Sequence, residues 1–261
     1  MHNAEQPASA SRRDRFLIVA AILLVTALAW VYLIRLGRQM PSGMEYDKMM
    51  AAMGMASNTP WKAADAWFTL TMWMVMMAGM MAPAAAPMLL LFAGAHRNRS
   101  GRGIGVPVIA FSLGYFLVWI GFSGGATLAQ WTLHGAAMLS GAMGSSNAYL
   151  SAAILVAAGA YQMTPWKGKC LAHCRSPLGF LMTSWRSGTL GALRMGLHHG
   201  AYCLGCCWAV MSVLFAVGVM NLAWVAGLAV LVLLEKTGPY GVIAGRIAGA
   251  ALVVMGIVVL V

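Results

Sequence analysis

Acidic side chains are scarce in this chain: only six of its 261 residues are aspartate or glutamate. No Gly-x-Ser-x-Gly elbow, phosphate-binding loop or dinucleotide fingerprint occurs, and no His-x-Glu or His-Glu-x-x-His pattern offers the general base of a zinc hydrolase. An enzyme is therefore the less expected class. Cysteine is sparse as well, at five residues, too few and too clustered for a disulfide framework. Charge of either sign makes up only 9% of the chain, against 61% hydrophobic residues. That balance belongs to a membrane protein, not to a soluble core.

Long apolar runs are what the chain has in place of charge. A membrane-crossing helix needs roughly 20 mostly apolar residues, and seven such runs are readable, at about 16–34, 66–93, 105–131, 148–163, 194–218, 221–235 and 240–260. The fourth and sixth are short for a full crossing, so a tilted or re-entrant course, and a count of six, stay open. The expected fold is all-α, a polytopic transmembrane helical bundle. Arg12, Arg13 and Arg15 precede the first run, which is longer than the apolar core of a cleaved signal, so a retained signal-anchor is expected. The implied organisation is a cytoplasmic tail (1–15), an anchor helix with an outer loop (16–64) and a helical domain (65–261).

The formal charge of +11 would suggest nucleic acid in a soluble protein. Here the basic residues sort by loop: twelve fall on one side, Arg35, Arg38, Lys48 and Lys62 on the other, and Arg246 lies within the last run. That asymmetry places the N-terminus in the cytoplasm. The basicity sets topology and gives no reason to expect nucleic acid.

Soft donors concentrate in three places. Between the first two runs, Met40, Met44, Met49, Met50, Met53 and Met55 stand with Glu45 and Asp47. Thioether suits Cu(I) and forms no disulfides in an oxidising compartment, so this loop could collect copper outside. In the second run Met76, Met77, Met80, Met81 and Met88 share about 140° of helical arc. The stripe reads either as packing, which methionine does well, or as a thioether path, and Pro83 and Pro87 would loosen its inner end.

The third place holds all five cysteines. Cys170 and Cys174 flank His173 in a loop expected between the fourth and fifth runs. Then comes Gly196-Leu-His-His-Gly-Ala-Tyr-Cys-Leu-Gly-Cys-Cys-Trp208. On a helix His199, Cys203 and Cys206 fall within 60° of one another, with Cys207 at the edge of that face and Met195 one turn below. His198 points about 100° away and reads as a bystander. Cys/His sets hold zinc as well as copper, but the companion methionines favour Cu(I). The cluster is expected near the cytoplasmic end of its span. Glu235 and Lys236 close the sixth run as an ion pair or interfacial anchor; alternatively Glu235 supports a ligating histidine or pairs with Arg246.

Gln162-Met-Thr-Pro-Trp-Lys, Cys170-Leu-Ala-His-Cys-Arg-Ser-Pro177, the His-His/Cys-Cys stretch, Gly218-Val-Met-Asn-Leu-Ala-Trp224 and Glu235-Lys236 together resemble the predicted metal-binding integral membrane proteins, a bacterial family of uncharacterised domains. Trp73-Met-Val-Met-Met-Ala-Gly-Met-Met-Ala-Pro83 is similar to it in style. The resemblance covers about residues 65–255. It implies a polytopic helical protein that binds a metal, with relatives linked to copper supply for copper-containing oxidases. Carried onto this chain, the implied ligands are Cys170, His173, Cys174, His199, Cys203, Cys206 and Cys207; the methionine stripe and the end of the sixth run add Met76, Met77, Met80, Met81 and Glu235 as secondary candidates. The function expected is Cu(I) binding for delivery or transport, with an oxidase or a copper carrier as partner. The alternatives are a membrane thiol–disulfide oxidoreductase, for which Cys203-Leu-Gly-Cys206 has the formal spacing, and an assembly subunit whose cysteines only pack.

Overall fold

The computed structural model describes residues 11–39, 62–100, 103–136, 145 and 147–260. The methionines and acids of 40–55 lie outside the described residues. Among the described residues there are nine helices and no β-strand. They are α1 (Arg12–Gln39), α2 (Ala63–Ser100), α3 (Gly105–Gly135), α4 (Ala148–Gln162), α5 (Pro165–Arg175), α6 (Pro177–Ser184), α7 (Gly188–Val217), α8 (Leu222–Thr237) and α9 (Gly241–Val258).

Five of these, α1, α2, α3, α7 and α9, are long and apolar enough to cross a membrane. The two short runs of the sequence become α4 and α8, of 15 and 16 residues. Local chemistry explains their limits. Asn147 Oδ1 accepts from the Tyr149 and Leu150 amides to start α4, and Asn221 Oδ1 accepts from the Trp224 amide to start α8, each satisfying a donor that the first helical turn leaves free. Gly188 and Gly218 bound α7 at φ of 79° and 95°, backbone that residues with a Cβ rarely adopt.

Two sequence expectations are corrected here. The stretch carrying Cys170 and Cys174 is not a loop but α5 followed by α6. Thr164 Oγ1 accepts from the Lys167 amide and Pro165 fills the first turn, where its missing N–H costs nothing. And α7 begins at Gly188, not near residue 194, so the cysteines stand near the middle of a 30-residue helix and not near its end. The stretch before 194 contains Leu190, Ala192 and Leu193, which continue the helix once Gly188 has turned the chain into it.

The helices pack as pairs. α1 packs along α2, and the start of α1 is joined to the end of α2 by the Asp14–Arg97 ion pair. α3 and α7 run in the same direction at very close range: a Cβ on Gly196 would collide with the Phe111 carbonyl, and one on Gly114 with the Leu193 carbonyl. α4 and α9 are antiparallel, with Gly159 against the Gly249 carbonyl and Gly256 against Ala152. Gly241, Gly245 and Gly249 of α9 all meet neighbours, whereas Gly121 and Gly125 of α3 face open space. Small residues matter only where another backbone comes close. The methionine stripe of α2 is interior: Met72, Met76, Met77, Met80, Met81 and Met88 are all buried. Trp73 donates to Gln130 Oε1 at 2.7 Å, tying α2 to α3 inside the core.

Candidate metal centre

Two short helices end against the middle of α7. The Tyr161 hydroxyl, at the last turn of α4, donates to the Gly205 carbonyl at 2.6 Å. At the last turn of α8, the Lys236 ammonium lies 2.8 Å from Cys203 Sγ. Between these anchors α5 lies along α7, and a Cβ on Gly205 would press on Cys170 Sγ at 2.9 Å. The absence of a side chain at Gly205 is what lets α5 bring its cysteines to those of α7.

The sulfurs form a connected chain. Cys206 Sγ is 3.2 Å from Cys207 Sγ, Cys174 of α5 lies near enough to Cys206 for the two thiols to interact, and Cys207 is likewise near Cys203. Cys206 also donates to the Cys203 carbonyl at 3.1 Å. Cys203, Cys206 and Cys207 are buried, and Cys170 and Cys174 are half-buried; all five are free thiols. At the far end Tyr115 Oη touches Cys203 Sγ at 2.9 Å and reaches the Met81 carbonyl at 3.3 Å, so one phenol joins the thiols of α7 to the methionine-rich helix.

The two expected histidines separate. His199 is only 4% exposed and sits among the rings of Phe111, Tyr115 and Phe180, at 6.1, 5.8 and 5.5 Å. Its Nδ1 has no hydrogen-bond partner, an arrangement that buried polar nitrogens rarely tolerate. His173 is exposed, stacked on Tyr202 at 4.1 Å with its Nδ1 at the Lys169 carbonyl, outside the sulfur chain. His198 packs its ring against Phe180 and Tyr202 at 5.6 and 4.9 Å. The donors form a chain and do not surround one point. Accordingly, among the described residues no group of three or more His, Cys, Asp or Glu side chains is arranged to hold an ion.

Glu235 and Lys236 do not pair with each other. Adjacent helical positions diverge by about 100°, and the two side chains go to different partners. Glu235 is 1% exposed; its Oε1 lies 2.6 Å from Lys167 Nζ and accepts from Gln162 Nε2 at 2.9 Å. Lys167 also donates to Gln162 Oε1, and Arg175 to the Glu235 carbonyl. Glu235 therefore neither meets Arg246, which is exposed, nor supports a histidine. It ties α4, α5 and α8 together under the thiols, and Gly245 of α9 is pressed against it. Sequence reasoning missed Tyr115, Lys167 and the thiol contact of Lys236. For the last two, the divergence of neighbouring helical positions was the available signal.

Over residues 70–259 the chain matches a family model described as PpoB2 copper chaperone. No curated protein and no solved structure matches it. The matched span contains every thiol of the chain, together with Tyr115, Glu235 and Lys236.

Proposed function

This chain belongs to the PpoB2 copper chaperone family, and we propose on that basis that it takes Cu(I) as cargo at the thiols of α5 and α7 and hands it to a recipient protein. The observation that carries this reading is the approach of α5 to α7, which sets Cys170 Sγ against Gly205 and Cys174 near Cys206 and so offers thiols from two separate elements to one soft ion. Cu(I) is matched to thiolate and thioether, and two or three such donors are the binding mode read from the sequence. A structural zinc site wants four ligands arranged tetrahedrally, and donors strung along a chain support the ion of lower coordination. Cys203, Cys206, Cys207 and Cys174 are the proposed ligands, Cys170 and His199 flank them, and His173 contributes from the solvent side.

Lys236 belongs to the same proposal. A copper-bound cysteine is a thiolate, and Cu(I) held by two of them carries a net negative charge within a low-dielectric bundle. An ammonium beside Cys203 supplies the countercharge there.

The finer topology is proposed too: seven spans, the N-terminus in the cytoplasm of a bacterial inner membrane, and the methionines of residues 40–55 collecting copper on the outer side. The recipient fitting this placement is a copper-dependent oxidase or a soluble copper carrier. X-ray absorption on the purified protein after loading with Cu(I) tests the site. The expected spectrum is that of Cu(I) with two or three sulfur neighbours, lost when Cys203 and Cys206 are both replaced by serine. A protein that retains no copper, or a spectrum unchanged in that double variant, overturns the reading.

A further inference from the structure

At the start of α7 lies a cavity of about 280 Å³ lined by Ser184, Arg186, Arg194, Met195 and His198. Its chemistry is unusual for this protein. The ion pairs among the described residues are Arg97 with Asp14 and Lys167 with Glu235, so among those residues neither guanidinium at this cavity has a carboxylate partner. Two exposed arginines and an exposed histidine, with no described acid paired to the guanidiniums, give the cavity a positive wall of the kind that suits an anion. Its wall is of another kind: Met195 is buried, and its Sδ accepts from the Arg186 amide at 3.3 Å.

From that wall a line of soft donors leads to the thiols. Met195, His199, Cys203 and Cys207 follow one another at intervals of four residues, each step rising about 6 Å and turning only about 40°. All four are buried. One helix therefore presents thioether, imidazole, thiol and thiol in sequence along one face, and the imidazole carries the unpartnered Nδ1. Packing alone gives no reason for a cavity with cationic walls to open at the end of that line.

We propose that the cavity of Arg186, Arg194 and His198 docks a small anionic thiol, which exchanges Cu(I) with the protein at Met195. The inference rests on the copper reading above and adds the exchange partner and the route. Copper keeps its oxidation state throughout. As the entering sulfur bonds to Cu(I), a bond from copper to a protein donor breaks, and the proton of the entering thiol passes to the released cysteine at the other end of the line. Anionic charge holds the partner on the arginines, while Met195 and His199 carry the ion between it and Cys203.

The test uses full-length protein loaded with Cu(I) in nanodiscs of phosphatidylcholine, following transfer of copper to glutathione, which is anionic, or to mercaptoethanol, which is neutral. Replacing Arg186 and Arg194 together by glutamine is expected to slow transfer to glutathione by about tenfold, as loss of electrostatic steering does. Transfer to mercaptoethanol should hold its rate, and the double lysine variant should restore most of the glutathione rate. Met195→Leu should slow both thiols. Equal slowing of both by the glutamine pair, or slowing of neither, overturns the dock while leaving copper binding intact. Failure of the wild-type protein to load Cu(I) overturns the underlying copper reading instead. Anionic phosphatidylglycerol separates a lipid headgroup from a soluble anion: arginine dependence confined to discs containing that lipid assigns the cavity to a headgroup and overturns the dock.

Discussion

Lys236 Nζ on α8 lies 2.8 Å from Cys203 Sγ on α7, and both side chains are buried. An ammonium in an apolar bundle needs an anionic or strongly accepting neighbour, and among the described residues no carboxylate fills that place. The thiol is the partner, which makes Lys236 part of the sulfur site and not an interfacial anchor.

Replacing Lys236 with methionine keeps the length and apolar stem of the side chain and removes the charge. The proposed Cu(I) thiolate site then loses its countercharge, and the expected result is a fall in Cu(I) affinity of roughly tenfold, or about 1.4 kcal/mol, measured by competition with a coloured Cu(I) chelator. Arginine at the same position should retain most of the affinity. Equal affinity in the methionine variant would show that Lys236 only packs.

Glu235 and Lys167, 1% and 3% exposed, form the buried ion pair that fastens α5 to α8. Removing one partner strands the other charge, so Glu235→Gln should destabilise the protein by roughly 3 to 5 kcal/mol, whereas the double change with Lys167→Met should recover a large part of that loss. The local readout is maleimide labelling of Cys170 and Cys174 in mild denaturant. It should accelerate in the single variant and return toward the original rate in the double one. Labelling unaffected by Glu235→Gln would mean that α5 is held by other contacts.

The close approach of α3 and α7 places Tyr115 against both His199 and Cys203. Gly196→Ala introduces a methyl into the Phe111 carbonyl and must force the helices apart, while Gly121→Ala meets nothing. Thermal unfolding followed by tryptophan fluorescence should fall by several degrees for the first variant and stay near the original value for the second. Copper affinity should fall with the first as the phenol withdraws from Cys203. Matching melting temperatures would contradict the packing described here.

The long helices were legible because their apolar runs need no partner to be recognised, and the His199, Cys203 and Cys206 face followed from helical spacing alone. What was not legible depended on contacts between elements. Thr164 and Pro165 start α5, yet the stretch has no apolar run to mark it as a helix, and its packing is explained once Lys167 finds Glu235. The alternative that paired Glu235 with Arg246 failed for the same reason: apolar periodicity reports which residues are inside, and carries no information on which polar group will lie opposite. The placement of the cysteines near a helix end failed over six residues, because Gly188 begins the helix earlier than apolarity alone suggested.

His199 allows the sharpest separation of packing from ligation. Phenylalanine at this position would fit a pocket already lined by Phe111, Tyr115 and Phe180, and would relieve the unpartnered nitrogen, which costs on the order of 1 to 3 kcal/mol when buried without a hydrogen bond. His199→Phe should therefore fold at least as stably as the original protein. If the imidazole is a station for Cu(I) between Met195 and Cys203, the same variant should load copper at Cys203 and Cys206 but exchange it several-fold more slowly with any thiol, measured by stopped-flow transfer. A stabilised variant with unchanged exchange would make His199 a packing residue and confine the copper chemistry to the cysteines.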